Sequence, residues 1–291
     1  MPRSYNADPR VLFVDANGQR FGYLEEGEGP LVLLIHGFPD TAHSWDAVRP
    51  ALAAAGYRAV SPFTRGYAPT SIPDRDPDSR TLGHDVLALI EALGEERAVV
   101  VGHDWGADAA YAAANLGPSK ISKLVTVAIP YPAGIKPTLH LAWMLRHFIG
   151  LRLPGALGRF MANDFESVDD LVRRWSPSWQ FTAEDLDAVK NAFAAPGSAN
   201  AALGYYRGAK LPPPRDLARK IAIPTLSVAG ADDPGVSPED YESVRRKFTG
   251  DYRVATIPGG HFCHNESPDA FNAVLLEFLG SPLGKPGAPD V

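Results

Sequence analysis

The chain has 291 residues, of which 45% are hydrophobic and 21% charged, and its formal net charge at pH 7 is −6. These proportions exclude a disordered, collagen-like or coiled-coil chain, and the acidic balance argues against nucleic-acid binding. No apolar run approaches the roughly 18 residues that span a bilayer, and the first residues lack the apolar stretch of a secretory signal. The single cysteine, Cys263, excludes an internal disulfide and a cysteine-rich zinc site. We therefore expect a soluble cytoplasmic protein without membrane insertion, and leave open whether it forms a homodimer.

Strand and helix signals alternate in chain order. Two short strands, 11–14 and 21–24, flank the turn Asn17-Gly18. The apolar run Leu31–Ile35 is typical of a strand buried on both faces. The pattern then predicts helices over 42–54, 81–93, 105–116, 238–248 and 268–279, and strands over 59–60, 98–101, 124–129, 225–229 and 252–257. This alternation predicts an α/β fold with a mostly parallel sheet flanked by helices.

The stretch 133–215 interrupts the alternation, and we call it the cap. It has helical patches and proline punctuation, and it carries three of the five tryptophans: Trp143, Trp175 and Trp179. We predict a helical insertion over the carboxyl edge of the sheet, where ligands of open α/β sheets bind. The residues 1–132 and 216–291 then form the core domain.

The strongest local motif is Gly102-His103-Asp104-Trp105-Gly106, between the predicted strand 98–101 and an alanine-rich helix. Small residues on both sides permit a sharp strand-to-helix turn, which holds the central side chain at the top of the sheet. Asp104 takes that place, where serine is the usual occupant. Taken alone, the motif also fits a glycine-rich turn in which Asp104 only caps the helix.

Three further motifs follow predicted strands at the same edge of the sheet. They are His36-Gly37-Phe38-Pro39, Gly230-Ala231-Asp232-Asp233-Pro234 and Pro258-Gly259-Gly260-His261-Phe262. The chain order is nucleophile, acid and histidine, as in α/β-hydrolases. This pattern resembles the α/β-hydrolase superfamily, and the motifs around His36 and Asp104 look most like those of epoxide hydrolases and their dehalogenase relatives. The resemblance implies an eight-stranded sheet with an inserted helical cap.

The resemblance also implies roles for individual residues. The backbone amides of Phe38 and Trp105 would form the oxyanion hole. His261 would be the general base, oriented by Asp233, because the family loop usually reads Gly-x-x-Asp; Asp232 is the competing candidate. His261-x-x-His264 has the spacing of a metal pair, but no third ligand accompanies it with zinc-site spacing, so we predict neither metal nor cofactor.

An aspartate nucleophile narrows the substrate class. Attack on an ester carbonyl would give an anhydride, whereas attack on a saturated carbon gives an ordinary alkyl ester. Asp104 therefore indicates epoxides or haloalkanes as substrates. His261 would then activate the water that hydrolyses the ester.

The choice between an epoxide and a halide depends on the cap. Tyr205-Tyr206-Arg207 resembles the epoxide-hydrolase segment that supplies a ring-opening tyrosine, here Tyr206. The family usually has a second cap tyrosine, but this chain has none between Tyr131 and Tyr205. Some relatives carry histidine there, which makes His147 the candidate and His140 the fallback.

We therefore predict an epoxide hydrolase acting on apolar epoxides and water, with Trp105, Tyr205 and Trp143 lining an apolar pocket. Fluoroacetate dehalogenases resemble this chain in the cap, but they follow the nucleophile with arginines, whereas this chain has Trp105-Gly106-Ala107-Asp108. Haloalkane dehalogenases share a tryptophan after the nucleophile. A haloalkane or haloacetate dehalogenase stays the alternative, and a non-catalytic ligand-binding protein of the same fold is the alternative of another class.

Overall fold

The computed structural model describes residues 3–135, 145–210 and 212–281. Eight strands form one sheet in the order β1-β2-β4-β3-β5-β6-β7-β8. The pairs β1–β2 and β2–β4 are antiparallel and all the other pairs are parallel. The strands are β1 (Leu12–Ala16), β2 (Gln19–Glu26), β3 (Leu31–Ile35), β4 (Arg58–Pro62), β5 (Ala98–His103), β6 (Ile121–Val127), β7 (Thr225–Gly230) and β8 (Tyr252–Ile257). The predicted α/β fold with a mostly parallel sheet is confirmed.

The central strands of the sheet are buried on both faces, which explains why they are continuously apolar. In β3, Leu33 and Ile35 face one hydrophobic core, while Val32 and Leu34 face the other. The helices α2 (Ser79–Ala92) and α3 (Trp105–Leu116) cover the first face, and α1 (Arg49–Ala54) and α10 (Pro268–Gly280) cover the second. The short helices α8 (Pro238–Ser243) and α9 (Cys263–Glu266) follow β7 and β8.

Two predicted core helices are interrupted. The predicted helix 42–54 consists of a 3₁₀ turn, Ala42–Trp45, and then α1, which has Pro50 in its first turn. Proline lacks the amide that would continue a helix but is well suited to starting one. The predicted helix 238–248 ends as α8 at Ser243, and a separate 3₁₀ turn, Arg245–Lys247, follows.

Between β6 and β7, the described residues form four cap helices: α4 (Arg146–Arg152), α5 (Ala156–Trp175), α6 (Asp187–Ala194) and α7 (Ser198–Gly208). The α5 helix is broken at 162–165, where Asn163, Asp164 and Phe165 have positive φ. The apolar residues of these helices join the core beneath them, including Phe160, Phe193 and Tyr206. Among the described helices, none combines the length and the apolar character that a membrane span requires.

Candidate active site

Asp104 lies at the sharp turn between β5 and α3. Its backbone has φ 51° and ψ −118°, a conformation that side-chain-bearing residues rarely adopt. Glycines make the turn possible, since a Cβ on Gly106 would lie 2.1 Å from the carbonyl oxygen of Ile35. A Cβ on Gly37 would likewise lie 2.4 Å from the Cβ of Asp104. These small residues thus let the loop after β3 and the helix close around one largely buried carboxylate.

One oxygen of that carboxylate is held by the backbone. The amide of Phe38 donates a hydrogen bond of 2.9 Å to Oδ1 of Asp104. Trp105 is the first residue of α3, directly after Asp104. The amides of a helix N-terminus favour negative charge, so this environment suits a carboxylate or an oxyanion. The Trp105 amide stays the predicted second donor of the oxyanion hole.

The other oxygen faces a histidine. Nε2 of His261 lies 3.5 Å from Oδ2 of Asp104, and Nδ1 of the same ring lies 3.2 Å from Oδ2 of Asp233. The Asp233 side chain is only 2% exposed, and its second oxygen accepts a hydrogen bond of 2.7 Å from the Gly235 amide. Asp232, the competing candidate, is exposed. The loops after β5, β7 and β8 therefore bring Asp104, Asp233 and His261 together.

The two carboxylates govern the charge of the histidine. Burial by itself would lower the pKa of His261, but its contacts with Asp104 and Asp233 raise that pKa to about 10. Burial would raise the pKa of Asp104, but His261 and the Phe38 amide hold it below its usual value. At neutral pH the site therefore holds an imidazolium beside an ionised aspartate.

Tyr206, on α7, is fully buried among the aromatic rings around the aspartate. Its ring centroid lies 5.1 Å from that of Phe38 and 5.3 Å from that of Trp105, both in edge-on contact. Burial and the negative charge of Asp104 raise the pKa of Tyr206 well above its ordinary value. Its hydroxyl therefore stays protonated and can donate a hydrogen bond.

His147, on α4, lies next to Tyr206. The two ring centroids are 5.6 Å apart with the planes nearly perpendicular. His147 also contacts Trp175, with 4.8 Å between the centroids. The structure thus brings the candidate second donor to the same aromatic cluster, while the fallback, His140, lies outside the described residues.

Comparisons with known proteins agree with this geometry. A family profile described as "alpha/beta hydrolase fold" matches residues 30–268. The epoxide hydrolase A of Mycobacterium tuberculosis is 32% identical over 315 aligned positions, which cover 93% of this chain and 97% of the relative. The chain belongs to the epoxide hydrolases of the α/β-hydrolase fold.

Other relatives and solved structures resemble this chain over most of its length. An AB hydrolase superfamily protein of Bacillus subtilis is 29% identical over 279 positions, covering 93% of this chain and 98% of the relative. Among solved structures, an epoxide hydrolase of Vigna radiata has a TM-score of 0.78 at 26% identity, with 92% of this chain and 98% of that chain covered. The epoxide hydrolase of Bacillus megaterium has a TM-score of 0.83 at 24% identity, covering 93% and 100%, which shows the shared fold.

Tyr205 and Trp143 are the other two residues predicted to line the pocket of this epoxide hydrolase. Tyr205 is buried, and its hydroxyl donates a hydrogen bond of 2.9 Å to the backbone carbonyl of Arg65. Its ring packs against that of Trp105, with 5.8 Å between the centroids. Both rings border a small cavity of about 20 Å³, which has room for about one water molecule. Trp143 lies outside the described residues.

The spacing His261-x-x-His264 does not bring the two imidazoles to a common point. Nε2 of His264 hydrogen-bonds to Oγ of Ser44 at 2.7 Å, away from the nucleophile. Asp40, His103 and His264 instead bring their donor atoms within 4.8 Å of one another, a set that the residue types would allow to hold a metal. The Ser44 hydroxyl already bridges His264 and Oδ2 of Asp40, at 2.5 Å from the latter. Hydrogen bonds through Ser44 therefore join Asp40 and His264, while Nε2 of His103 binds the His261 carbonyl, and the absence of a metal stays a prediction.

Sequence reasoning missed the aromatic residues of the cap that surround the site. The ring of Trp175 lies between those of His147 and His261, 4.8 Å and 5.2 Å away between centroids. Phe148 contacts Tyr206 at 4.8 Å. Phe148 directly follows the candidate His147, but no family motif surrounds Trp175. For Trp175 the one signal was composition, since it is among the three cap tryptophans noted in the sequence.

Proposed function

We propose that this chain hydrolyses epoxides to vicinal diols in two half-reactions, with Asp104 as the nucleophile and His261 as the general base. The observation that carries this proposal is a carboxylate at the strand-to-helix turn, with one oxygen on the Phe38 amide and the other facing His261. A carboxylate suits attack on a saturated carbon, because the product is an alkyl ester that water can hydrolyse. The named epoxide hydrolases among its relatives support the same activity.

In the first half-reaction, Oδ2 of Asp104 attacks a carbon of the epoxide ring. A carbon–oxygen bond to Asp104 forms while the carbon–oxygen bond of the ring breaks, and the ring oxygen leaves as an alkoxide. Tyr206 donates its hydroxyl proton to that alkoxide, and His147 is the proposed second hydrogen-bond donor. The raised pKa of Tyr206 supports this role, because the phenol keeps its proton until a strongly basic oxygen develops.

The second half-reaction begins from a changed charge. The ester on Asp104 is neutral, so one of the two carboxylates that raise the pKa of His261 is gone. His261 can then lose its proton, which replaces the proton that Tyr206 gave up. The neutral imidazole, oriented by Asp233, takes a proton from water, and the hydroxide adds to the carbonyl carbon of Asp104.

The ester then breaks down at the oxyanion hole. Negative charge develops on Oδ1, the oxygen that the Phe38 amide holds, and Trp105 is the proposed second donor. The diol oxygen leaves with the proton of the added hydroxyl group. Asp104 is restored as a carboxylate that carries one oxygen from water, and His261 is again protonated.

The surroundings of Asp104 favour apolar substrates. The rings of Phe38, Trp105 and Phe148 each contact the ring of Tyr206, and those of Trp105 and Phe148 also contact each other. Such a lining suits aryl or alkyl epoxides better than charged ones. Trp105, together with Trp143 and Tyr205, stays a proposed residue of the pocket, and the reaction needs no metal or cofactor at any step.

A side-by-side assay tests this function. The purified protein is incubated with styrene oxide or with bromobutane, and diol and bromide are measured. We expect diol formation without comparable bromide release. Faster bromide release would indicate a haloalkane dehalogenase, and binding of both compounds without turnover of either would indicate a ligand-binding protein.

A further inference from the structure

We propose that Trp175 and Ser176 position His261 for ester hydrolysis, so that the cap holds the general base in place. Trp175 is the last residue of α5, and Ser176 directly follows it. We call this pair the Trp175–Ser176 junction. The inference rests on the proposed function, because it assigns the junction to the second of the two half-reactions.

The backbone around His261 is bound at three successive amides. The amide of His261 donates a hydrogen bond of 2.9 Å to the carbonyl oxygen of Trp175, and the amide of Phe262 donates one of 3.0 Å to Oγ of Ser176. The amide of Gly260 donates one of 2.7 Å to Oε1 of Glu266. Two of the three acceptors therefore belong to the cap, although the amides belong to the core.

The contact between the two backbones is close. A Cβ on Gly260 would lie 2.7 Å from both the Trp175 carbonyl oxygen and the Cα of Ser176. Ser176 is fully buried, and the Trp175 ring lies beside the imidazole of His261, with 5.2 Å between centroids. The residue before His261 must therefore be glycine for the junction to form.

Glu266 links the same loop to the cap a second time. Its Oε1 accepts the Gly260 amide, and its Oε2 accepts a hydrogen bond of 2.9 Å from the hydroxyl of Ser178. Ser178 follows the junction by two residues. The Glu266 carboxylate thus links the loop that carries His261 to the cap segment that contains the junction.

The other side of His261 is held by the core. Nε2 of His103, the residue before the nucleophile, donates a hydrogen bond of 3.0 Å to the carbonyl oxygen of His261. The backbone of His261 therefore lies between the nucleophile turn and the cap. The cap binds its amide, and the nucleophile turn binds its carbonyl oxygen. Loss of the cap contact would leave His261 held from one side.

The two half-reactions differ in what they require of His261. Attack by Asp104 needs an ionised carboxylate and an acid from the cap, but no base. Hydrolysis needs an imidazole that removes a proton from a water placed beside the ester carbon, and misplacement by about 1 Å can slow such a step by about 10²-fold. A positioning role therefore slows hydrolysis selectively, whereas a purely structural role would lower the amount of folded enzyme and both rates together.

The decisive variant is Ser176→Ala, which removes the acceptor of the Phe262 amide. Ser198→Ala is the matched control, because Ser198 is also a fully buried cap serine bound to the core: its hydroxyl donates to the Gly66 carbonyl at 2.9 Å and accepts from the Ala68 amide at 3.1 Å. Rapid mixing with styrene oxide, quenching and intact-protein mass spectrometry give the rates at which the adduct forms and disappears.

We expect Ser176→Ala to slow disappearance of the adduct by about ten- to a hundredfold, with its formation within about twofold of wild type. Ser198→Ala should change neither rate selectively. If Ser176→Ala hydrolysed the adduct at the wild-type rate, or lost both rates equally, the positioning role would be overturned. If His261→Gln formed no adduct while the wild-type enzyme turned over styrene oxide, the proposed covalent reaction itself would fail, so the two failures are distinguishable.

A second variant avoids the buried serine in case Ser176→Ala does not fold. Glu266→Ala removes the acceptor of the Gly260 amide, whereas Glu266→Gln keeps an oxygen in its place. We expect Glu266→Ala to slow hydrolysis of the adduct more than its formation. Glu266→Gln should keep most of the wild-type hydrolysis rate. Unchanged hydrolysis in Glu266→Ala would contradict the proposal that the fixed backbone of this loop positions the base.

Discussion

Nε2 of His261 lies 3.5 Å from Oδ2 of Asp104, and both side chains are largely buried. The carboxylate raises the pKa of the imidazole, and the imidazolium in turn lowers the pKa of the carboxyl. The resting site is therefore ready for attack by Asp104 but not for proton removal by His261. In the proposed reaction, formation of the ester would remove one of the two negative charges that keep His261 protonated, so the first half-reaction would prepare the second.

Asp104→Ala should abolish turnover of styrene oxide and leave the fold intact. The substitution removes the attacking oxygens but keeps the turn between β5 and α3, although alanine must adopt the same positive φ. Alanine is preferred to asparagine because slow hydrolysis of the amide could regenerate aspartate. Circular dichroism and a diol assay check both expectations, and activity above about a hundredth of wild type would contradict the nucleophile assignment, since removing the nucleophile of a covalent mechanism costs far more than that.

Tyr206→Phe should slow adduct formation by about 10²–10⁴-fold, the usual contribution of a general acid. Tyr205→Phe is the matched control, because it removes a hydroxyl that is bound to the Arg65 carbonyl rather than one beside the nucleophile. His147→Gln should have a smaller effect than Tyr206→Phe. Single-turnover rates with styrene oxide measure all three, and near-normal opening in Tyr206→Phe would reassign that residue to packing of the cap.

Asp233→Ala and Asp232→Ala form a pair of neighbouring changes with different expected outcomes. Asp233 contacts Nδ1 of His261, so its removal leaves the imidazole free to turn and should slow ester hydrolysis by about a hundredfold or more. Asp232 is exposed, and its replacement should leave the rate near wild type. Measuring adduct disappearance in both variants decides which aspartate orients the base; a larger loss in Asp232→Ala would reverse the assignment.

The sequence predicted the core of the site better than the cap. The positions of Asp104, Asp233 and His261 follow from local rules: each comes directly after a strand of a parallel sheet, and such strand ends meet at one edge. The contacts of Trp175 with His147 and His261 depend on how helices far apart in the chain pack together. No short motif encodes that packing, and the break in α5 at 162–165 has no proline or glycine to indicate it.

The ion pair predicts a pH dependence of stability. The pKa of His261 rises from 6.5 to about 10 on folding, so the stabilisation by its charged form is complete below about pH 6.5 and is lost as the pH rises through about 10. The lowered pKa of Asp104 acts in the opposite sense. The stabilisation by its charged form is lost as the pH falls through the pKa of Asp104 in the folded protein.

The comparison of wild type with His261→Gln isolates the histidine. Between pH 6.5 and 10, the free energy of unfolding of wild type should fall relative to that of the variant, by up to about 1.4 kcal/mol per pH unit. Urea unfolding of both proteins at several pH values measures this difference in the free energy of unfolding. A difference between the two proteins that stays constant over this range would show that His261 is not charged in the folded protein.

His261→Gln should also separate the two half-reactions chemically. Attack by Asp104 does not need His261 as a base, so the variant should still be alkylated. Hydrolysis needs a water to be deprotonated beside the ester, so the adduct should accumulate. With excess styrene oxide, we expect a mass increase equal to one substrate molecule, and a burst of roughly one equivalent per site followed by a stall.

The position of the adduct identifies the nucleophile. Peptide mapping should place it on Asp104, within the tryptic peptide that runs from Ala98 to Lys120. Asp104→Ala,His261→Gln is the control and should stay unmodified, because any adduct on it would mark a different nucleophile. If His261 instead activated water directly on the epoxide, His261→Gln would lose its single turnover and keep its unshifted mass. An unshifted mass in the variant, with wild-type enzyme active on the same substrate, would therefore refute the covalent mechanism.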